Sequence, residues 1–268
     1  MNILVTLDRA YLKQLSVMLS SLLAANPGEN IDVYLMNTAL TEADFERLAN
    51  CLDCPRCQLT DIKIDGACLA GAPVTSRYPQ EMYYRIFAAK YLPPTLDRIL
   101  YLDPDLVVLK PLSSLYALPL NGYFFAAATH VRQVLRKLNG LRLGAGFDEA
   151  GPYINSGVML MNLSRLRAEQ DTDAVFEYIR RHKNTLLLPD QDIISGLYAD
   201  RIFPIDARIY NMTERLLIFG NRDGLTPEWV AQNSAIVHYC GRNKPWKDRY
   251  NGRLGVFYER AAAAARPF

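Results

Sequence analysis

The sequence predicts an α/β fold: a single Rossmann-like domain with a mostly parallel central sheet and helices on both faces, followed by a short C-terminal segment. Three observations predict it. Short apolar runs alternate with stretches of helical periodicity through the first half of the chain, the pattern of strands joined by crossover helices. A chain of 268 residues, half of them hydrophobic, can bury the core of one large domain. No internal repeat, low-complexity linker or sharp composition change marks a boundary within it.

The elements follow in order. Asn2 to Leu7 is a short apolar run, read as a buried strand. Tyr11 to Ala25 places Leu12, Leu15, Met18, Leu19, Leu22 and Leu23 at helical spacing and stops at Asn26-Pro27-Gly28. Ile31 to Met36 is a second strand. Thr41-Glu-Ala-Asp44 resembles a capping box opening a helix through Leu52. Gln58 to Ile64 alternates as a third strand. Pro79 to Tyr91 has a helical pattern that ends at Pro93-Pro94. Arg98 to Leu109 reads as a strand, a short acidic break and a second strand. Tyr123 to Thr129 and Gly157 to Leu163 are further strands, Thr172 to Lys183 and Asp190 to Tyr198 are helices, and Ala235 to Tyr239 is a last short strand. Gly140 to Pro152 is expected to be a loop over the site.

Composition removes several function classes. The net charge is +2 and no basic block exceeds two or three residues, which argues against nucleic acid as a partner. No run approaches the ~18 apolar residues of a membrane span. The first apolar run is too short for a signal peptide and meets Asp8 and Arg9 at once. The expectation is a cytoplasmic protein, with peripheral contact at the inner membrane face left open. Five cysteines without a secretory signal argue against a disulfide framework. Cys51, Cys54 and Cys57 have metal-ligand spacing, with Cys68 as a fourth candidate; reduced cysteines on a loop are the simpler reading.

Four segments carry chemistry. In Tyr101-Leu-Asp103-Pro104-Asp105, two carboxylates lie two residues apart at the end of an apolar strand, so an extended backbone projects both to one side. Like charges held together repel, and a divalent cation relieves them. Pro104 lacks an N–H, so the strand should end or bend there. The plainer alternative is an Asp/Pro turn. His238-Tyr-Cys-Gly241-Arg-Asn-Lys244-Pro-Trp246 follows another short strand. Its imidazole can complete a metal shell and tilts the choice towards Mn²⁺ over Mg²⁺. Gly241 would allow close backbone approach to a phosphate, and Lys244 would add a compact charge. The plainer alternative is a core histidine and a surface lysine. In Pro189-Asp190-Gln191-Asp192, acid and amide can hold sugar hydroxyls, unless Asp190 is simply the helix N-cap. In Tyr153-Ile-Asn155-Ser156-Gly157 an amide precedes a glycine at the start of a strand.

Taken together and in this order, the segments resemble glycosyltransferase family 8, over nearly the whole chain from Ile3 to Trp246. The resemblance implies the GT-A fold and a retaining enzyme that uses UDP-galactose or UDP-glucose with Mn²⁺, Mg²⁺ being the alternative ion. It further implies a saccharide or glycolipid acceptor in lipopolysaccharide or surface-polysaccharide synthesis. Residues 1–250 would form the catalytic domain and 251–268 a C-terminal helical extension. Asp103, Asp105 and His238 match the metal ligands. Thr6, Asp8 and Tyr11 match the uracil and ribose site, Tyr11 by stacking. Arg85 matches a donor contact, and Pro104 sits between the two acidic ligands. Asn155, Asp190 and Gln191 match residues lining the transferred sugar, the last two in catalytic positions, and Gly241 and Lys244 match pyrophosphate binders. Ala10 and His130 depart from a family member with a polar ribose contact and an acidic residue near the acceptor. A non-catalytic UDP-sugar binder and a sugar-nucleotide pyrophosphorylase are the rival readings. The latter usually has a glycine-rich basic loop after its first strand, and Leu7 to Tyr11 contains no glycine.

Overall fold

In the computed structural model, residues 1–65, 81–129, 152–219 and 224–268 are described. Cys68, His130 and nearly all of the 140–152 loop lie outside them.

Nine strands are present among the described residues: β1 (Asn2–Thr6), β2 (Ile31–Asn37), β3 (Cys57–Lys63), β4 (Arg98–Leu102), β5 (Leu106–Val108), β6 (Phe125–Ala128), β7 (Val158–Asn162), β8 (Ile202–Ile205) and β9 (Ile236–His238). Seven form one sheet in the order β3-β2-β1-β4-β7-β6-β8, and β5 pairs with β9 in a small second sheet. Within the large sheet β7 alone runs antiparallel, to both β4 and β6; β1, β2, β3 and β4 are parallel neighbours. The expected mostly parallel α/β sheet is therefore present.

Side-chain alternation explains why the strands read as continuous apolar runs. Leu4, Ile99, Tyr101, Phe125, Ala127, Met159 and Met161 belong to the core on one face. Ile3, Val5, Leu100, Leu102, Ala126, Val158 and Leu160, their immediate neighbours in sequence, belong to the core on the other. Successive residues point to opposite faces and both faces are covered, so neither parity can be polar.

The helices follow the predicted pattern with two informative departures. The first begins at Leu12, not Tyr11, because Asp8 accepts from the Ala10 amide at 2.8 Å and caps a 3₁₀ turn over Arg9–Tyr11. It ends at Asn26, whose side chain donates to Leu22 O and accepts from the Leu112 amide. The second departure lies in the segment expected as one helix from Pro79. Its described part is three pieces, Glu81–Tyr84, a 3₁₀ turn Arg85–Phe87 and Ala88–Tyr91. The tightened turn coincides with a buried arginine that reaches into the carboxylate cluster described below. The capping box is present: Thr41 and Asp44 satisfy each other's backbone N–H groups at the start of helix Glu42–Leu52.

Pro104 does what its missing donor requires. The main-sheet strand stops at Leu102, and the chain leaves through Asp103-Pro104-Asp105 to form β5 against β9. The C-terminal helix Gly255–Ala264 rests on the first helix, with Phe257 and Tyr258 in one apolar cluster with Val17. Among the described residues no helix is long and apolar enough to cross a membrane. Cys51, Cys54 and Cys57 are free thiols and do not gather into a metal-sized group; burial pushes the Cys57 thiol up to about 12.

Thr41→Ala removes one half of the capping box and should lower stability by about 1 kcal/mol. Urea unfolding should show the midpoint falling with an unchanged slope, and activity should stay at the wild-type level.

Candidate functional site

The acidic pair sits where β4 leaves the large sheet. The Asp103 amide donates to Gly157 O at 2.8 Å, and Asp105 O accepts from the Tyr239 amide at 2.9 Å, so both residues are fixed by backbone. The β5–β9 register sets Leu106 opposite His238, which brings the histidine beside Asp105. His238 Nε2 lies 3.1 Å from Asp105 Oδ1 and 3.7 Å from Asp103 Oδ2. One ligand atom from each of Asp103, Asp105 and His238 lies within 4.8 Å of the others, the only such group among the described residues. Two oxygens and one nitrogen suit a divalent cation such as Mn²⁺ or Mg²⁺.

The space around these atoms fits an ion as well. A Cβ on Gly157 would stand 2.3 Å from His238 Cε1 and 2.6 Å from Asp103 Oδ2. This glycine is required for want of room; its φ is not positive. On its far side the imidazole is held too: Nδ1 meets Asn211 Oδ1 at 2.9 Å.

Behind the pair lies a buried arginine. Arg85, 6% exposed, bridges Asp103 at 3.0 Å and Asp190 at 3.1 Å. Its guanidinium also lies over the Tyr101 ring at 4.3 Å. Burial opposes its charge, but Asp103, Tyr101 and Asp190 more than offset this and hold its pKa above the ordinary value. Tyr101 donates to Asp103 Oδ1 at 2.6 Å and shares a 3.0 Å bond with Thr6 Oγ1, which places Thr6 next to the metal-site acids.

Asp190 is not the N-cap that the sequence allowed. Leu188 holds that position, Pro189 opens helix Pro189–Leu197, and Asp190 follows it. Its carboxylate accepts from Ser156 Oγ at 2.6 Å and pairs with Arg85. Burial raises its pKa, with Arg85 and Ser156 pulling the other way. The orphan amides at this helix start go to Asp192, which accepts from Leu187 and Leu188 N at 2.7 and 3.1 Å and from Tyr153 OH at 2.7 Å. Gln191 stands between them on the first turn, partly exposed.

Lys244 Nζ forms an ion pair with Asp105 and donates to Tyr239 O at 2.7 Å. Burial disfavours the ammonium, but Asp105 prevails and its pKa is raised. Asp105 itself is held well below the usual carboxylate range: burial opposes ionisation, and His238 and Lys244 overcome it. Tyr11 stands edge-on to Trp246 at 6.4 Å, and Trp246 lies beneath the Lys244 ammonium at 5.4 Å. Gly241 has φ +96° with open space at its Cβ position, so conformation demands glycine there.

The structure thus brings Thr6, Arg85, Asp103, Pro104, Asp105, Asn155, Asp190, His238 and Lys244 into one connected cluster, with Tyr11 at its edge. Asp8 bonds the Ala10 amide and makes no bond to the acidic pair. Asn155 faces inwards, its Oδ1 occupied by the Gly157 amide and Asn211 Nδ2. Tyr101, Ser156, Asp192 and Asn211 were not among the expected site residues. Tyr101, Ser156 and Asp192 each stood inside a motif already singled out, whereas Asn211 lay in none.

Known proteins are similar to this chain in sequence and in fold. The model of the family described as Glycosyl transferase family 8 matches residues 2–249. The lipopolysaccharide 1,2-glucosyltransferase of Escherichia coli (strain K12) is 27% identical over 249 residues, covering 92% of this chain and 72% of that protein. General stress protein A of Bacillus subtilis (strain 168) is 26% identical over 256 residues, covering 92% and 87%. The galactosyltransferase LgtC, solved in complex with donor and acceptor sugar analogues, overlays with a TM-score of 0.87 at 23% identity, over 100% of this chain and 97% of that one. That likeness carries the fold, GT-A. With the family model spanning all but the first residue and the C-terminal nineteen, the chain belongs to glycosyl transferase family 8.

Proposed function

We propose that the protein transfers galactose or glucose from a UDP-sugar to a saccharide or glycolipid acceptor, with retention of configuration and dependence on Mn²⁺. Lipopolysaccharide or surface-polysaccharide assembly, at the cytoplasmic side and with peripheral membrane contact, is the setting this reading assigns. Residues 1–250 act as the catalytic domain and 251–268 as an extension. The single observation that carries the reading is the gathering of Asp103, Asp105 and His238 within 4.8 Å, with Lys244 on the same acidic pair. The acids lie beyond the carboxyl end of β4, at the edge where ligands bind to open α/β sheets. The relatives' names, a glucosyltransferase and a galactosyltransferase, support a hexose.

When bound, a divalent ion supplies Lewis-acid neutralisation of charge growing on the leaving diphosphate. The chain's own groups do the rest. Lys244 adds a second, fixed positive charge on the same side, and Gly241 lets the backbone approach the phosphates. Thr6, Asp8 and Tyr11 hold the nucleoside, Tyr11 presenting its ring face. Arg85 and Asn155 line the donor, and Asp190 and Gln191 orient the sugar.

Retention needs either two inversions or attack from the face the leaving group vacates. Double displacement needs a free nucleophile. The Asp190 carboxylate is tied to Arg85 and Ser156, and the amide of Gln191 is a poor attacking group. Both observations favour front-face transfer, with a phosphate oxygen of the leaving group taking the acceptor proton.

Product mass after incubation with UDP-galactose or UDP-glucose tests this. One donor should be consumed with Mn²⁺ present, and Asp103→Ala should reduce turnover by about 10²-fold or more, the scale of several kcal/mol of lost charge stabilisation. Binding of a UDP-sugar without any turnover would leave only a non-catalytic binder. Gly157→Ala should weaken Mn²⁺ binding in calorimetry because its methyl group collides with His238; wild-type affinity in a folded variant would contradict the site. Gln191→Ala should cost turnover no more than the about 10²-fold of a lost orienting contact, whereas a loss on the order of 10⁶-fold is what deletion of a nucleophile produces.

A further inference from the structure

Ligation by an imidazole requires a bare nitrogen, so a metal-binding histidine must carry its neutral-state proton on the other one. Which nitrogen of His238 is bare follows from a line of hydrogen bonds that starts at the backbone. The Gly157 amide can only donate. The Asn155 side-chain atom it meets at 3.1 Å is therefore the oxygen. That same oxygen lies 2.9 Å from the Asn211 side chain, so the Asn211 atom facing it is the amide nitrogen. The other end of Asn211 is then its oxygen, 2.9 Å from His238 Nδ1, and an oxygen there needs a proton from the ring. Nδ1 therefore carries a hydrogen, and in the neutral ring that ligation requires Nε2 is the bare nitrogen. Nε2 is the nitrogen turned towards Asp105 at 3.1 Å and Asp103 at 3.7 Å.

Asn211 is poorly placed to do anything else. It is fully buried, as is His238 at 2% exposure, so water cannot take over the bond. Its position is locked by the neighbouring residue: Met212 N donates to Ile236 O and Met212 O accepts from the His238 amide, bracketing the histidine's own strand. The amide thus arrives at the ring by backbone pairing, across 27 residues of sequence.

We propose that Asn211 is a positioning residue of the metal centre, which with Asn155 and the Gly157 amide fixes the Nδ1–H tautomer and ring plane of His238 so that Nε2 faces the ion. The proposal rests on the metal reading of Asp103, Asp105 and His238. Its first readout needs no ion. Long-range ¹H–¹⁵N correlation spectra of metal-free, tag-free protein in alkaline buffer report the tautomer of each of the three histidines. His130→Gln and His182→Gln, made singly, identify the His238 signals by elimination. The wild type should show the protonated nitrogen at Nδ1; a proton on Nε2 overturns the proposal.

Mn²⁺ calorimetry is the second readout. Asn211→Leu removes the acceptor and should weaken Mn²⁺ about 10- to 100-fold, the usual cost of losing such a partner. Asn211→Asp keeps an oxygen towards Nδ1 but has no donor for Asn155 Oδ1, and should recover part of that loss. Wild-type affinity in a folded Asn211→Leu protein would overturn the proposal, as would an Asn211→Asp variant no better than the leucine. If Asn211→Leu does not fold by circular dichroism, the wild-type spectrum and the aspartate variant decide. Failure of the wild type to bind Mn²⁺, with or without UDP, would instead defeat the metal reading, and the ion-free spectrum keeps the two failures apart.

Discussion

Two carboxylates at the end of a buried strand repel each other, and the structure around them is arranged to hold that repulsion. At about 4 Å and an effective dielectric near 20, two like charges cost about 4 kcal/mol. The protein answers with positive or proton-bearing groups from separate parts of the chain. Arg85, from a 3₁₀ turn, takes Asp103 and Asp190. Lys244, from the stretch after β9, takes Asp105, and His238, from β9 itself, reaches both acids. The acidic pair is thereby the junction between the large sheet and the small β5–β9 sheet. Removing one partner would leave a buried charge uncompensated, which is costlier than never having placed it there.

The same arrangement prepares the site for anions. Lys244 is buried, yet Asp105 keeps it an ammonium. A divalent ion between Asp103 and Asp105 would relieve Asp105 of its need for Lys244. The lysine would then be a compact positive charge beside the ion, which is what a diphosphate requires. Fixed charges already present when ligand arrives need no reorganisation, and this is the source of their catalytic value.

How much of this was legible depended on how far each interaction reaches along the chain. Asp103 and Asp105 were legible because an apolar strand, two acids at i and i+2, and a proline between them are all local. The parallel sheet was legible for the same reason, since both faces of each strand are covered and its residues read as a run. His238 stood out through its neighbours Gly241 and Lys244, and Arg85 through the family pattern alone. By its residue type Arg85 belonged on the solvent side of a helix, and nothing nearby announced a bridge to acids 18 and 105 residues away. Tyr101 read as one more apolar strand residue, though its hydroxyl holds Asp103. Asn211 lay in no motif, because its two bonds span 27 and 56 residues. The choice between N-cap and site residue for Asp190 turned on Pro189, which takes the first helical position and moves Asp190 inside the helix.

These constraints meet at Gly157. In sequence it is a glycine before an apolar run, compatible with any turn. In space its carbonyl anchors the Asp103 amide, its own amide orients Asn155, and the room left by its missing side chain is occupied by Asp103 and His238. Asp103 and His238, 135 residues apart in sequence, both crowd the space that a Cβ on the backbone between them would fill. The backbone there also supplies the two hydrogen bonds that set the geometry on either side. A residue contributing no side chain is thus the one on which the carboxylate and the imidazole both depend, and the dependence is steric first and hydrogen-bonded second.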